Sequence, residues 1–265
     1  MDVNFEERKY TFDDIAEEYE KIRPTYPKEL FQDLFTYANI EKEDQILEIG
    51  CGTGKATEGL VGFGYKQIDC IELGERLAQF TASKFQNENG IHVYQGNFET
   101  WNQQDDLYSL AVSATAFHFI KPEIGYPKVA NLLRKHGTMA FFWTYHIQPN
   151  TDIFREIGDC YEEYAPHLHP NQLPTPEELI EERKTLTMQH DLFQDLVVKT
   201  YNWTDTYTSD EYIALLHTQS AHRLLSKEVK EKLFYSIHNV IENHGGKIEK
   251  PQFVALYLAR KKEIF

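Results

Sequence analysis

The chain has 265 residues, room for one large domain or for a core domain with an elaborated cap. Hydrophobic residues at 41 % and charged residues at 26 % exclude a disordered chain. Its 42 acids against 27 bases leave a net charge of −15, which repels nucleic acid over most of the surface.

No Lys/Arg cluster builds a compensating basic groove; the nearest, ARKKE at 259–263, ends a predicted strand. No nucleic-acid partner is expected. The opening MDVNFEERKY is too polar for a signal peptide, and LAVSATAFHFI at 110–120 is too short to cross a bilayer, so no membrane partner is expected either. Cys51, Cys70 and Cys160 are odd in number and form no CxxC pair, which reads as a reduced, cytoplasmic protein.

Thr11-Phe-Asp-Asp14 predicts a capped helix running to about Lys21, and Arg23-Pro24 breaks it. Pro27 predicts the first turn of a second helix, with Leu30, Leu34, Tyr37 and Ala38 on one face. From 45 to 145 strands alternate with helices: strands at 45–50, 67–72, 91–95, 107–114 and 137–145, helices at 55–62, 75–87 and 122–134. That alternation implies parallel βαβ units. Further on, Thr175-Pro-Glu-Glu178 and Thr208-Ser-Asp-Glu211 each predict a capped helix start, with a strand at 195–204 between them. Val229, Leu233, Ile237, Val240 and Ile241 form a helical stripe that ends at Gly245-Gly246, and a last strand covers 252–259.

The stretch ILEIGCGTGKAT at 46–57 places a glycine-rich turn directly after the first of these strands. A phosphate-gripping G-x-x-x-x-G-K-[ST] loop does not fit, because Ile49 stands where its first glycine belongs and Ala56 where its hydroxyl belongs. The dinucleotide fingerprint G-x-G-x-x-G has Gly50 and Gly52 but meets Lys55 at its third glycine, which weakens it. E-x-G-x-G-x-G fits completely, with Glu48, Gly50, Gly52 and Gly54. This resembles motif I of the class I methyltransferases that use S-adenosylmethionine.

The resemblance continues through most of the chain. Glu72 ends the second strand about 20 residues after the glycines, and Gly96-Asn97-Phe98 matches the family's G-[DN]-[aromatic or small] turn. EEYEKIRPTYPKEL (17–30) is similar to the Y-D-x-x-R-P-x-Y-P lead-in of a bacterial small-molecule branch related to the trans-aconitate methyltransferases. SATAFHFIKPE, HGTMAFFW, WTDTYTSDEYIALLHTQSAHR and NHGGKIEKPQFVALYLARK match that branch in order. The resemblance implies an α/β fold with a doubly wound, mostly parallel seven-stranded sheet, Rossmann-like, with helical cap segments. It implies cofactor-covering helices at 1–44, an S-adenosylmethionine-binding core at 45–145, and a C-terminal half at 146–265 that completes the sheet and carries a helical substrate cap. The implied activity is methyl transfer by in-line displacement to a small-molecule acceptor.

The same resemblance assigns residues to the cofactor. Gly50, Cys51, Gly52 and Gly54 would let the main chain approach the methionine and sugar, and Glu48 would place charge near the methionine ammonium. Glu72 would accept both ribose hydroxyls, Leu73 would pack on the adenine, and Asn97 with Phe98 would read its edge. Ala114 ends the fourth strand on the same crevice. Tyr19 and Arg23, one helical turn apart, would close over the cofactor, with Arg23 on the methionine carboxylate.

On the acceptor side the candidates are Tyr19, His118, Trp143, His146 and Thr218, with Ser220 and His222 beside the last. His118 is the candidate proton acceptor or orienting group, because its unperturbed pKa lies near neutrality; a packed histidine between Phe117 and Phe119 is the alternative. His167 and His169 lie in a proline-rich loop with no carboxylate or cysteine close in sequence, so no metal is expected. Cys51 reads as a small spacer rather than a nucleophile. A non-catalytic S-adenosylmethionine-binding sensor or scaffold, and a nicotinamide oxidoreductase, are the readings that compete with the enzyme.

Overall fold

The computed structural model describes residues 16–169 and 174–263. The predicted cap at Thr11–Asp14 lies outside them. The helices are α1 (Ala16–Ile22), α2 (Lys28–Ala38), α3 (Lys55–Gly62), α4 (Glu75–Lys84), α5 (Pro122–Leu132), α6 (Asp152–Tyr164), α7 (Pro176–Met188), α8 (Ser209–His217), α9 (Ser220–Arg223) and α10 (Lys227–Asn243). The strands are β1 (Ile46–Ile49), β2 (Ile68–Glu72), β3 (Ile91–Gln95), β4 (Tyr108–Ala114), β5 (Leu133–His146), β6 (Phe193–Thr208) and β7 (Lys247–Lys261).

The strands form one sheet in the order β3-β2-β1-β4-β5-β7-β6. The pairings of β3 with β2, β2 with β1, β1 with β4 and β4 with β5 are parallel. The sheet is nonetheless mixed, with an antiparallel pair beyond β5. Lys262, just past β7, donates its N–H to the carbonyl of Leu192, just before β6, so these two strands run opposite ways. β1 and β2 are buried at every position, as expected of parallel strands covered on both faces. β3 at the edge is half exposed.

Two compact units can be distinguished. The core unit comprises 25–144, 180–201 and 254–265, and the helical unit comprises 1–24, 145–179 and 202–253. In the helical unit, Phe154, Ile157 and Tyr161 of α6 pack with Tyr212, Leu215 and Leu216 of α8 and with Leu233, Phe234, Ile237 and Ile241 of α10. These are the 3- and 4-residue spacings of amphipathic helices.

Local sequence signals explain most element boundaries. Thr208 and Glu211 form the reciprocal capping box of α8, and Thr175 with Glu178 exchange the same pair of bonds before α7. Pro27 is the extended N-cap of α2 rather than part of its first turn. α5 stops at Leu132, earlier than predicted, because Leu133 enters β5 directly. β5, β6 and β7 are longer than predicted, since pairing continues through residues whose patterns are interrupted by polar positions.

Candidate cofactor site

All three glycines of the loop after β1 take positive φ: 71° at Gly50, 56° at Gly52 and 78° at Gly54. That conformation is strained for any residue with a Cβ. They differ in surroundings. A Cβ on Gly50 would lie 2.5 Å from the Cβ of Ala116, and one on Gly54 would lie 2.6 Å from the Phe85 ring. Around Gly52 nothing lies within 4 Å of that position. Gly50 and Gly54 are therefore glycine for protein packing, and Gly52 is the one that opens onto space.

Glu72 fixes this turn. Its Oε2 accepts the Gly52 N–H at 2.8 Å, and its Oε1 accepts the Gly74 N–H at 2.9 Å. One carboxylate, 7 % exposed, thus ties the loop after β1 to the loop after β2. Thr81 adds a bond from its hydroxyl to the Gly52 carbonyl at 2.6 Å. Leu73, half-buried, follows directly.

Glu48 lies deeper than its sequence role implies. It is fully buried, its Oε2 accepts the Thr57 hydroxyl at 2.7 Å, and its Oε1 has no hydrogen-bond partner. Burial pushes its pKa up to about 7, although the Thr57 bond acts the other way. Its charge at neutral pH is therefore partial. Cys51 is buried, and the neighbouring Cys70 thiol together with burial holds its own thiol well above the usual range, so it stays protonated and unreactive.

At the end of β3, Asn97 Oδ1 accepts the Glu99 N–H at 2.9 Å, which orients the amide. Phe98 is buried. The turn is held by a residue the sequence did not single out: Lys128 of α5 donates Nζ to the carbonyl oxygens of Phe98 (2.6 Å), Glu99 (3.3 Å) and Trp101. A lysine on an amphipathic helix carries no visible signal of this role, because its partners are main-chain atoms.

Beyond half-buried Ala114, Thr115 has φ 53°, an outlier for a β-branched residue. Its hydroxyl pairs with that of Tyr26 at 3.3 Å. Neither was foreseen. His118 occupies a single 3₁₀ turn, Phe117–Phe119, half-buried. Trp143, 4 % exposed, donates its indole N–H to His118 Nδ1 at 3.2 Å, while the Arg183 guanidinium lies 5.1 Å from the centre of its ring. Trp143 is thus a buried brace for His118.

The other candidates belong to the helical unit. Tyr19 and Arg23 share a face of α1, with the guanidinium 5.1 Å from the centre of the tyrosine ring. Arg23 donates Nε to Thr218 Oγ1 at 2.8 Å and Nη2 to the Thr218 carbonyl at 2.9 Å. Thr218 is buried and also donates its hydroxyl to the Leu215 carbonyl at 2.7 Å. Its role visible here is to hold Arg23. His146 stands exposed at the end of β5.

The residues present fit an adenosine-containing cofactor on the core unit: a buried carboxylate at Glu72, bare main chain at Gly52, and a polar turn at Asn97. The model of the ribosomal RNA adenine dimethylase family matches residues 27–149. The chain is 26 % identical to the probable S-adenosylmethionine-dependent methyltransferase CRG1 of Saccharomyces cerevisiae, over 56 % of this chain and 50 % of that protein. The chain thus spans half the length of that relative. An uncharacterized methyltransferase of Schizosaccharomyces pombe is 22 % identical over 86 % of each. In fold the chain is similar to phosphoethanolamine N-methyltransferase 2 of Haemonchus contortus, in complex with phosphomonomethylethanolamine and S-adenosylhomocysteine. That likeness has a TM-score of 0.57 and 14 % identity, covering 98 % of this chain and 59 % of that one. Strand order and glycine turn define a Rossmann-like class, and in fold the chain is similar to S-adenosylmethionine-dependent methyltransferases.

Proposed function

We propose that the chain is an S-adenosylmethionine-dependent methyltransferase with a small-molecule acceptor, in the branch related to the trans-aconitate methyltransferases. The observation that carries this reading is the Glu72 carboxylate, anchored by the Gly52 and Gly74 N–H groups beside the open side of Gly52. A carboxylate is an acceptor-only group with about four lone-pair positions, the chemistry that pairs with the vicinal hydroxyls of a ribose. Leu73, Asn97 and Phe98 would hold the adenine, and Gly50, Cys51, Gly52, Gly54 and Ala114 would line the path of the rest.

When bound, S-adenosylmethionine supplies a methyl group on a cationic sulfur that is already a good leaving group. The protein's work is then alignment and exclusion of water, with proton removal where the acceptor requires it. Because His118 Nδ1 accepts from Trp143, the neutral ring carries its proton on Nε2. In that tautomer Nε2–H donates, so His118 orients an acceptor rather than taking its proton.

Two observations favour a small acceptor over the RNA that the dimethylase match suggests. The net charge is −15, and at the end of β4 stands SATAFHF, without the D/N-P-P-Y/F/W segment of base methyltransferases. Calorimetry with S-adenosylmethionine and with NAD tests the cofactor: binding of NAD alone overturns the reading. A mass-spectrometric screen for metabolites that gain one methyl group tests the acceptor. Transfer of labelled methyl to unmodified ribosomal RNA, with no metabolite changed, replaces the small molecule by RNA.

A further inference from the structure

β4 ends at Ala114, and the residue after it, Thr115, holds the left-handed φ of 53°. Branching at Cβ makes that angle costly for threonine, and such residues persist only where their surroundings over-determine them. Here the surroundings are explicit. The Thr115 N–H donates to the Phe142 carbonyl at 2.8 Å, so its main chain stays tied to β5. Its Oγ1 accepts the Thr144 N–H at 3.3 Å and pairs with the Tyr26 hydroxyl at the same distance. The Tyr26 ring sits edge-on against Phe142, with centres 4.7 Å apart, and Phe142 meets Phe31 of α2 at 6.2 Å. Tyr26, Thr115, Phe142 and Thr144 all belong to the core unit.

The turn at Thr115 decides where two loops go. Directly after it, the Ala116 methyl occupies the space that a side chain on Gly50 would need, 2.5 Å from that Cβ position. The Ala116 carbonyl also accepts the Phe119 N–H at 3.0 Å, which opens the 3₁₀ turn bearing His118. Packing fixes the far end of that turn: Phe117 is buried, and a Cβ on Gly125 of α5 would lie 2.8 Å from both Phe117 and Ile120. Its near end depends on Thr115, because an extended residue there would carry Ala116 onward along β4 instead of onto Gly50. Glycine would take the same angle without cost. What threonine adds over glycine is a hydroxyl, and that hydroxyl joins β5 to Tyr26.

We propose that Thr115 is a positioning residue, latched by Tyr26, that sets the glycine loop after β1 and the His118 turn in place relative to each other. It acts through Ala116 on the first and through the start of the 3₁₀ turn on the second. Methyl transfer by displacement needs donor and acceptor held in line. In the reading above the glycine loop belongs to the donor side and His118 to the acceptor side, so one residue governs their relative placement. That consequence rests on the methyl-transfer reading; the positioning itself is a property of the chain alone.

The test compares the full chain with Thr115→Gly, Thr115→Ser and Tyr26→Phe by thermal melts, residue-resolved amide exchange and calorimetry with S-adenosylmethionine. Thr115→Gly relieves the backbone angle while losing two long hydrogen bonds, so its melting temperature should stay close to native. Exchange should nevertheless quicken about tenfold at the bonded amides of Gly52, Gly54, Phe119 and Ile120, and not at 68–71 of β2, as local opening without global loss requires. Affinity for S-adenosylmethionine should fall about tenfold as well. Thr115→Ser, which keeps the hydroxyl, should restore both, and Tyr26→Phe should move both in the direction of Thr115→Gly. Tyr26→Phe carries the test should Thr115→Gly not fold. Native exchange at those amides in a folded variant, equal acceleration throughout the sheet, or a serine variant that behaves like the glycine one would each overturn the proposal. A native chain that fails to bind S-adenosylmethionine would overturn the methyl-transfer reading instead, and exchange alone would then decide the positioning.

Discussion

Replacing Glu72 by Gln isolates what the carboxylate does to the protein before any ligand arrives. In the native chain its two oxygens accept the N–H groups of Gly52 and Gly74. A glutamine keeps the shape but can present an acceptor to only one of them, and its NH₂ then faces the other donor. A bond to a charged group is worth ~1.5–3 kcal/mol, and a buried donor left unpaired costs ~1–3 kcal/mol. The expected loss is therefore about 3 kcal/mol. For a chain of this size that lowers the melting temperature by roughly 6–12 °C. Urea unfolding, with the slope compared as well as the midpoint, measures the effect. Calorimetry with S-adenosylmethionine, run where both proteins are folded, should then find affinity reduced at least about tenfold. An unchanged unfolding midpoint would refute the bracing of the two loops, and an unchanged affinity would refute the ribose role.

The glycine loop gives a paired contrast. Gly50→Ala drives a methyl group onto Ala116 and should destabilise the chain by ~1–3 kcal/mol beyond the cost of positive φ, whereas Gly52→Ala meets open space and should lose only the ~1–2 kcal/mol of that conformation. Affinity for the cofactor should nevertheless fall in Gly52→Ala; equal unfolding midpoints for the two variants would contradict the assignment. Glu48 has a folded pKa of about 7 against roughly 4.3 unfolded, so its neutral form is the one the fold favours. Its ionisation therefore costs stability progressively as pH rises from about 4.5 through 7, up to roughly 3 kcal/mol. The stability of Glu48→Gln relative to the native chain should rise across that interval, and a difference independent of pH would disprove the burial argument. Lys128→Met should loosen the turn at 98–101 and speed amide exchange there, while leaving that of β1 unaltered; equal exchange in the turn would remove Lys128 from this role.

The sequence by itself determined the parallel half of the sheet and the position of the loops. Strands such as ILEI and IDCIE declare themselves because both faces are buried, and the glycine turn declares itself because positive φ excludes other residues. The caps at Thr175 and Thr208 were equally readable, since their partners lie three residues away. Only the tertiary structure decided which glycine opens onto space, because that depends on where Ala116 and Phe85 arrive from far along the chain. It also decided that Trp143 braces His118, that Lys128 holds the Asn97 turn, and that Thr218 holds Arg23. Those relations join residues 25 to 195 positions apart, and local pattern carries no record of contacts at such separations.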